Sequence, residues 1–288
     1  MRTFGNDIEE IRLRDCSTAF SRSVFTDVLL YDDFSHLDWL YSRYGFRCKT
    51  YFDLIKRVYS SIAEKYRCEY VFKNELIGLL LNRYGVNDTV YFSEFRVGCS
   101  IADMVMFNGE SKVFEIKTQY DSPRRLDKQM EDYKRFFDKC YLVITESELG
   151  DYLSTVDDDI GIIVMCGTEY GLVLHEIREA KQNMKYDPTA LISCLRAKEY
   201  ESIVEHLGFD AKSVPGYERY EFCSDVFAMS SKADLKRLFL EEVKNRKNCT
   251  RLLRKYPMAL RQMLLSLNLS ERKSALLIDK LKTIINKS

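Results

Sequence analysis

Apolar positions in the first part of the chain recur at helical spacing, as at Tyr51, Leu54, Ile55, Val58 and Ile62, so residues 1–68 are read as a helical region, with Trp39 in its core. A further helix is expected over about 73–84, with Phe72, Leu76, Leu79 and Leu80 on one face. The period then shortens. Strands are expected at 90–97, 101–107 and 113–117, the last two joined by Asn108-Gly109, a strong hairpin signal. Ser122-Pro123 opens a helix whose apolar stripe is Leu126, Met130, Tyr133 and Phe137. Residues 140–145 are nearly all apolar, as a strand covered on both faces would be. Two more strands, 160–165 and 172–177, flank a turn at 167–171. This order predicts an α/β fold, a mixed sheet flanked by helices, over residues 69–178. A mixed acidic connecting region, 179–229, follows. The end, 230–288, is a basic helical module with Leu276, Leu277, Leu281 and Ile284 as one stripe and Ser270 as a cap.

Composition adds exclusions. The 288 residues are 46% apolar and 31% charged, the mix of a soluble globular chain. No run of about 18 apolar residues occurs, so no span of a membrane is expected, and the charged N-terminus does not read as a secretory signal. Nine cysteines without a C-x-x-C pair argue against a zinc site or a disulfide framework, and a cytoplasmic location is expected. With three histidines, no H-E-x-x-H and no G-x-x-x-x-G-K-[ST], metalloprotease and P-loop readings are weak. The zero net charge hides an asymmetry: 231–288 carries 15 basic against 5 acidic residues, leaving 29 against 39 of the 44 and 44 for the rest. Such a tail suits a phosphate-bearing partner, or else a packing or dimerisation surface with a basic exterior. A homodimer stays open.

Three charges interrupt the apolar strands. Asp103 stands inside I-A-D-M-V-M-F, and Glu115 and Lys117 stand in V-F-E-I-K. Burying such groups costs several kcal/mol, about the scale of a whole domain's margin, unless they are paired or hold a cation. Glu115 and Lys117 share a strand face. Whether Asp103 joins them depends on the hairpin. A two-residue loop turns Asp103 away, whereas an odd loop or a bulge, such as 107–109 with Gly109 left-handed, brings Asp103 and Glu115 to one face. The odd loop is expected. Two carboxylates and a nearby ammonium suit Mg²⁺, which keeps waters for substrate phosphates, and the lysine can position the attacking water or neutralise charge growing on phosphorus.

Here the sequence resembles the PD-(D/E)XK nuclease superfamily, with its restriction-endonuclease-like fold. The matching text is Asp103 in S-I-A-D-M-V-M-F followed by E-I-K at 115–117, with Ala102 in place of the superfamily's proline. Gln129-Met130-Glu131-Asp132-Tyr133 fits the Q-x-x-x-Y signature of nucleases similar to the RecB group, and residues 93–118 look like a group of bacterial proteins of largely unassigned role. The resemblance implies a metal-dependent nuclease acting on nucleic acid, DNA above all, with Mg²⁺ or Mn²⁺ held by Asp103 and Glu115. It also implies Lys117 assisting the attack, and Gln129 holding substrate or water. A third carboxylate belongs to the pattern; Glu94, on the first strand, is preferred to Glu75, on the preceding helix. Tyr133, Arg124, Arg125 and Lys128 are expected near the substrate, though a solvated helix face explains the three cations as well. A catalytically silent nucleic-acid-binding or regulatory protein on the same fold is the alternative. Asp157-Asp158-Asp159 reads as a solvated turn.

Overall fold

The structure, a computed structural model, describes residues 4–119, 121, 123–168, 171–183 and 187–286. Five helices open the chain: α1 Phe4–Ser17, α2 Arg22–Tyr31, α3 Ser35–Tyr44, α4 Tyr51–Lys65 and α5 Glu69–Tyr84. The strands β1 Val90–Val97, β2 Ser100–Phe107 and β3 Ser111–Ile116 follow. Then come α6 Leu126–Lys134, β4 Lys139–Thr145, α7 Leu149–Thr155, β5 Gly161–Thr168 and β6 Gly171–Arg178. The chain closes with α8 Pro188–Ser193, α9 Ala197–His206, α10 Arg219–Met229, α11 Lys232–Asn245, α12 Met258–Leu267 and α13 Glu271–Leu281. The expected α/β architecture is therefore present: one six-stranded mixed sheet between helical N- and C-terminal regions.

The sheet runs β1-β2-β3-β4-β5-β6. β3, β4 and β5 are mutually parallel, joined by crossovers through α6 and α7, while β1, β2 and β6 pair antiparallel with their neighbours. Each face buries its own core. Tyr91, Met104, Met106, Phe114, Tyr141, Val143 and Met165 meet helices α1–α5, α12 and α13. Val105, Phe107, Val113, Leu142, Ile144 and Val164 meet α6–α11. Alternate residues of β4 thus enter opposite cores, which is why that strand reads as one apolar run.

Several helices start where a hydroxyl can accept an orphan amide: Ser21 from Val24, Thr50 from Asp53 and Ser270 from Lys273. α5 begins four residues earlier than its apolar stripe suggests. Ser122, expected to cap the next helix, lies outside the described residues, and a short 3-10 turn, Pro123–Arg125, precedes α6. Phe137 falls beyond α6 but is buried all the same. Trp39, expected in the core, is 41% exposed, because α3 buries only Leu37 and Leu40.

The sequence-based partition of the C-terminal half changes. Residues 179–229, read as a mixed acidic connecting region, carry α8, α9 and α10 among the described residues, and these pack on the α6–α11 face. The basic tail is no separate module. α11 lies on one face of the sheet with Leu235, Leu238 and Phe239, and α12 lies on the other against α5 and β1. Buried polar bonds fix α12 there: the Tyr70 hydroxyl donates to the Ala259 carbonyl at 2.7 Å, and the Gln262 amide to Asn74 Oδ1 at 2.8 Å. The tail's cations reach body carboxylates, as in Lys236–Asp138 (2.5 Å), Arg246–Glu199 (2.6 Å) and Lys280–Asp32 (2.7 Å). These three pairs tie the basic tail to the acidic body.

Candidate active site

The β2–β3 loop decides whether the acidic residues meet. Phe107 pairs with Ser111, so the loop holds three residues, Asn108, Gly109 and Glu110, with Gly109 at φ +98°. The odd loop is present, one residue further on than 107–109. The last ladder pair is Met104 with Phe114, and one more step along this register sets Asp103 opposite Glu115. The strands part there. The Ile116 amide donates to Asp103 Oδ2 at 2.9 Å, so a side chain takes the place of a ladder carbonyl.

Phase also changes at this point. Ala102 and Val105, three residues apart, enter the same core, and so do Phe92 and Phe95 on β1. Between the latter pair, Glu94 adopts φ +57°, an uncommon conformation for a residue with a side chain. The β1–β2 register would set Glu94 opposite Asp103, but the ladder skips both. Strained backbone of this kind costs on the order of 1–3 kcal/mol and concentrates at functional sites.

Glu115 is 2% exposed and both its oxygens are held. Oε1 accepts from Lys117 Nζ at 3.0 Å and from Gln129 Nε2 at 2.5 Å; Oε2 accepts from the Tyr133 hydroxyl at 2.8 Å. Lys117 also donates to Gln129 Oε1 at 3.0 Å. The four side chains thus form one closed network, with Gln129 and Tyr133 one turn apart on α6. Burial, then the charge of Asp103, pushes the Glu115 carboxyl up to about 7. Burial likewise raises Asp103, against the pull of Lys73.

Lys73, on α5, has no counterpart among the residues expected from the sequence. Its ammonium lies 3.2 Å from Asp103 Oδ1 and 2.5 Å from Glu69 Oε1, with 6% of the side chain exposed. Burial disfavours its charge, but Asp103 and Glu69 outweigh that and raise its pKa. The polar pair Lys73-Asn74, interrupting V-F-K-N-E-L-I-G-L-L-L, was the available signal.

The remaining candidates separate. Glu94 does not join Asp103; the kink sends it to Arg22 at 3.0 Å, with 45% of its side chain exposed. Glu75 lies apart as well, accepting from the Tyr59 hydroxyl at 3.1 Å, with burial raising its pKa. Tyr133 is fully buried, so it holds Glu115 and cannot reach a substrate. Arg124, Arg125 and Lys128 are exposed. Arg125 and Lys128 line a cleft of about 540 Å³ with Cys99, Ser100, Ile101 and Gln129, so this cleft opens directly on the network. Lys134 ties Asp157 and Asp159 into their turn at 2.7 and 2.6 Å.

Two carboxylates suit Mg²⁺, an ion commonly held by one or two carboxylates while keeping most of its waters. Burial and, after it, the charge of Asp103 lift Glu115, and a cation would relieve both. Among the described residues, no group of three or more His, Cys, Asp or Glu side chains could hold a metal by itself.

A family model described as Bacteriophage P4 protein cII matches residues 62–270, nearly three quarters of the chain, including every strand and every residue of the network. The chain belongs to that family. Protein cII of Enterobacteria phage P4 is 23% identical to it over 181 residues, covering 62% of this chain and 67% of the phage protein. A solved structure described as SPO1766 protein of unknown function, from Silicibacter pomeroyi, covers 41% of this chain and 75% of its own at 15% identity and a TM-score of 0.31. Within the P4 cII family member described here, the matched span begins inside α4 and ends at Ser270.

Proposed function

We propose that this P4 cII family member is a metal-dependent nuclease that hydrolyses phosphodiester bonds, with DNA as its substrate. The observation that carries the reading is the closed network Glu115–Lys117–Gln129–Tyr133 beside Asp103, at a place where two apolar strands part. The reading takes the residue types of the PD-(D/E)XK motif together with the closeness of these side chains. Asp103 and Glu115 would hold Mg²⁺ or Mn²⁺. Such an ion supplies charge for the phosphoryl oxygens and lowers the pKa of water. Tyr133 fixes one oxygen of Glu115, and Gln129 fixes the other together with the Lys117 ammonium. Lys117 is then poised to neutralise charge growing on phosphorus. Arg125 and Lys128, on the adjoining cleft, suit flanking phosphates.

One observation favours a second reading. Lys73 already supplies a cation to Asp103, as a protein without a catalytic metal would need. A nucleic-acid-binding or regulatory protein that does not cut is that alternative.

A panel of duplex, single-stranded and branched DNA and of RNA, with and without Mg²⁺, tests the proposal. Asp103→Ala and Lys117→Ala should each lower Mg²⁺-dependent cleavage by at least about a hundredfold while circular dichroism stays native. Cutting retained by either purified variant refutes the assignment.

A further inference from the structure

Several of the tail's cations are neutralised, by Asp138, Glu199, Asp32, Glu271 and other carboxylates. Three others gather at one place. Lys244, Lys247 and Arg251 line a cleft of about 490 Å³ at the edge of the sheet, where α11 ends and β1 begins. Among the described residues none of the three makes an ion pair with a carboxylate. Arg246, between them in sequence, differs: it is committed to Glu199 and the Cys194 carbonyl, which pins the segment. Against the three stand Asp88 and Glu271, and Glu271 is already paired with Lys255 at 2.6 Å. Asn248 and the Ser270 hydroxyl add neutral polar groups to the wall.

We propose that this cleft binds the sugar–phosphate backbone of duplex DNA at a site separate from the carboxylate network. Ammonium and guanidinium groups beside amide and hydroxyl side chains are the usual partners of phosphate oxygens. Of its apolar lining, Val90, Leu252 and Leu269 are buried and Val86 is half-buried, so the wall offers no large apolar surface for insertion into a lipid layer. The inference rests on the nuclease reading for its choice of partner, while the cleft's charge stands without it.

The test is fluorescence anisotropy with a labelled duplex of about 20 base pairs in EDTA, between about 50 and 200 mM salt. The wild-type protein should bind. Lys244→Ala/Lys247→Ala/Arg251→Ala should lose at least about tenfold in affinity at the lower salt, and its salt slope should flatten by about 2–3, close to one per lost phosphate contact. Lys247→Glu, at an exposed position, repeats the measurement should the triple variant melt early. Unchanged affinity and slope in the cleft variants would overturn the proposal, as would displacement of the duplex by polyglutamate at equal charge, which marks an acidic protein partner instead. Binding that depends on the cleft, without cleavage on any substrate, supports the cleft and removes the nuclease reading alone. Cleavage with cleft-independent binding does the reverse.

Discussion

Replacing Glu115 by glutamine should make the protein more resistant to alkaline conditions. In the folded chain burial and the neighbouring Asp103 hold the Glu115 carboxyl at about 7, against 4.5 for the free side chain. The folded state therefore keeps a proton that the unfolded state has released over roughly pH 4.5–7. Where the native state binds more protons, stability falls as pH rises. The loss begins near 4.5 and is complete a little above 7. At about 1.4 kcal/mol for each tenfold, the gap corresponds to about 3 kcal/mol, with Glu115 2% exposed and little solvent to screen it. Glutamine keeps the shape and an oxygen for Tyr133 but cannot ionise. It forfeits the charge partner of Lys117, so its advantage above pH 7 should be smaller than the full figure. The assay is urea denaturation followed at 222 nm, in EDTA, at pH 5 and pH 8. The stability difference between variant and wild type should move by about 2–3 kcal/mol in the variant's favour between the two. Parallel pH profiles would refute the argument that Glu115 is buried against its own charge.

Lys73→Met should raise the affinity for Mn²⁺ by about tenfold, since it removes an ammonium 3.2 Å from Asp103 that competes with any incoming cation. Isothermal calorimetry reads this, and weaker binding in the variant would show Lys73 to be an organiser of the site instead. Asp138→Ala should cost about 3 kcal/mol in urea denaturation. Asp138 Oδ2 accepts from the Ser111 amide and hydroxyl, and Oδ1 from Gln182 and Lys236, so one buried carboxylate ties β3 to α11. A loss below about 1 kcal/mol would contradict that role.

Local pattern reveals some of these features and conceals others. The limits of β1 and the apolar run of β4 follow from period and composition, because each strand's surroundings repeat along its length. The odd loop follows from parity: only that register brings Asp103 and Glu115 to one face, where a cation can offset the cost of burying both. Glu94 shows the limit of such reasoning. Its register position is the expected one, yet one left-handed dihedral, invisible in a strand-like stretch, turns the carboxylate outward to Arg22. For Lys73 and Asp138 the polarity shows in the sequence but the partner does not. Their partners lie 30 and 98 positions away, at Asp103 and Lys236, and no periodicity carries information over such distances. The tail's allocation between two faces is likewise a matter of long-range packing, since both α11 and α12 have ordinary amphipathic stripes.

The seating of α12 over α5 and β1 bears on how this protein emerges from the ribosome. Until residues 250–262 are translated, the Tyr70 hydroxyl, Asn74 and the edge amide of Tyr91 have neither Ala259, Gln262 nor Thr250 to meet, and a slab of leucine and isoleucine on α5 stays wet. The nascent sheet can form its hairpins early, but one of its two coats arrives in halves, α1–α5 before the strands and α12–α13 long after them. During synthesis this is a chain that waits, and for that interval it should be a client of the cell's holding chaperones.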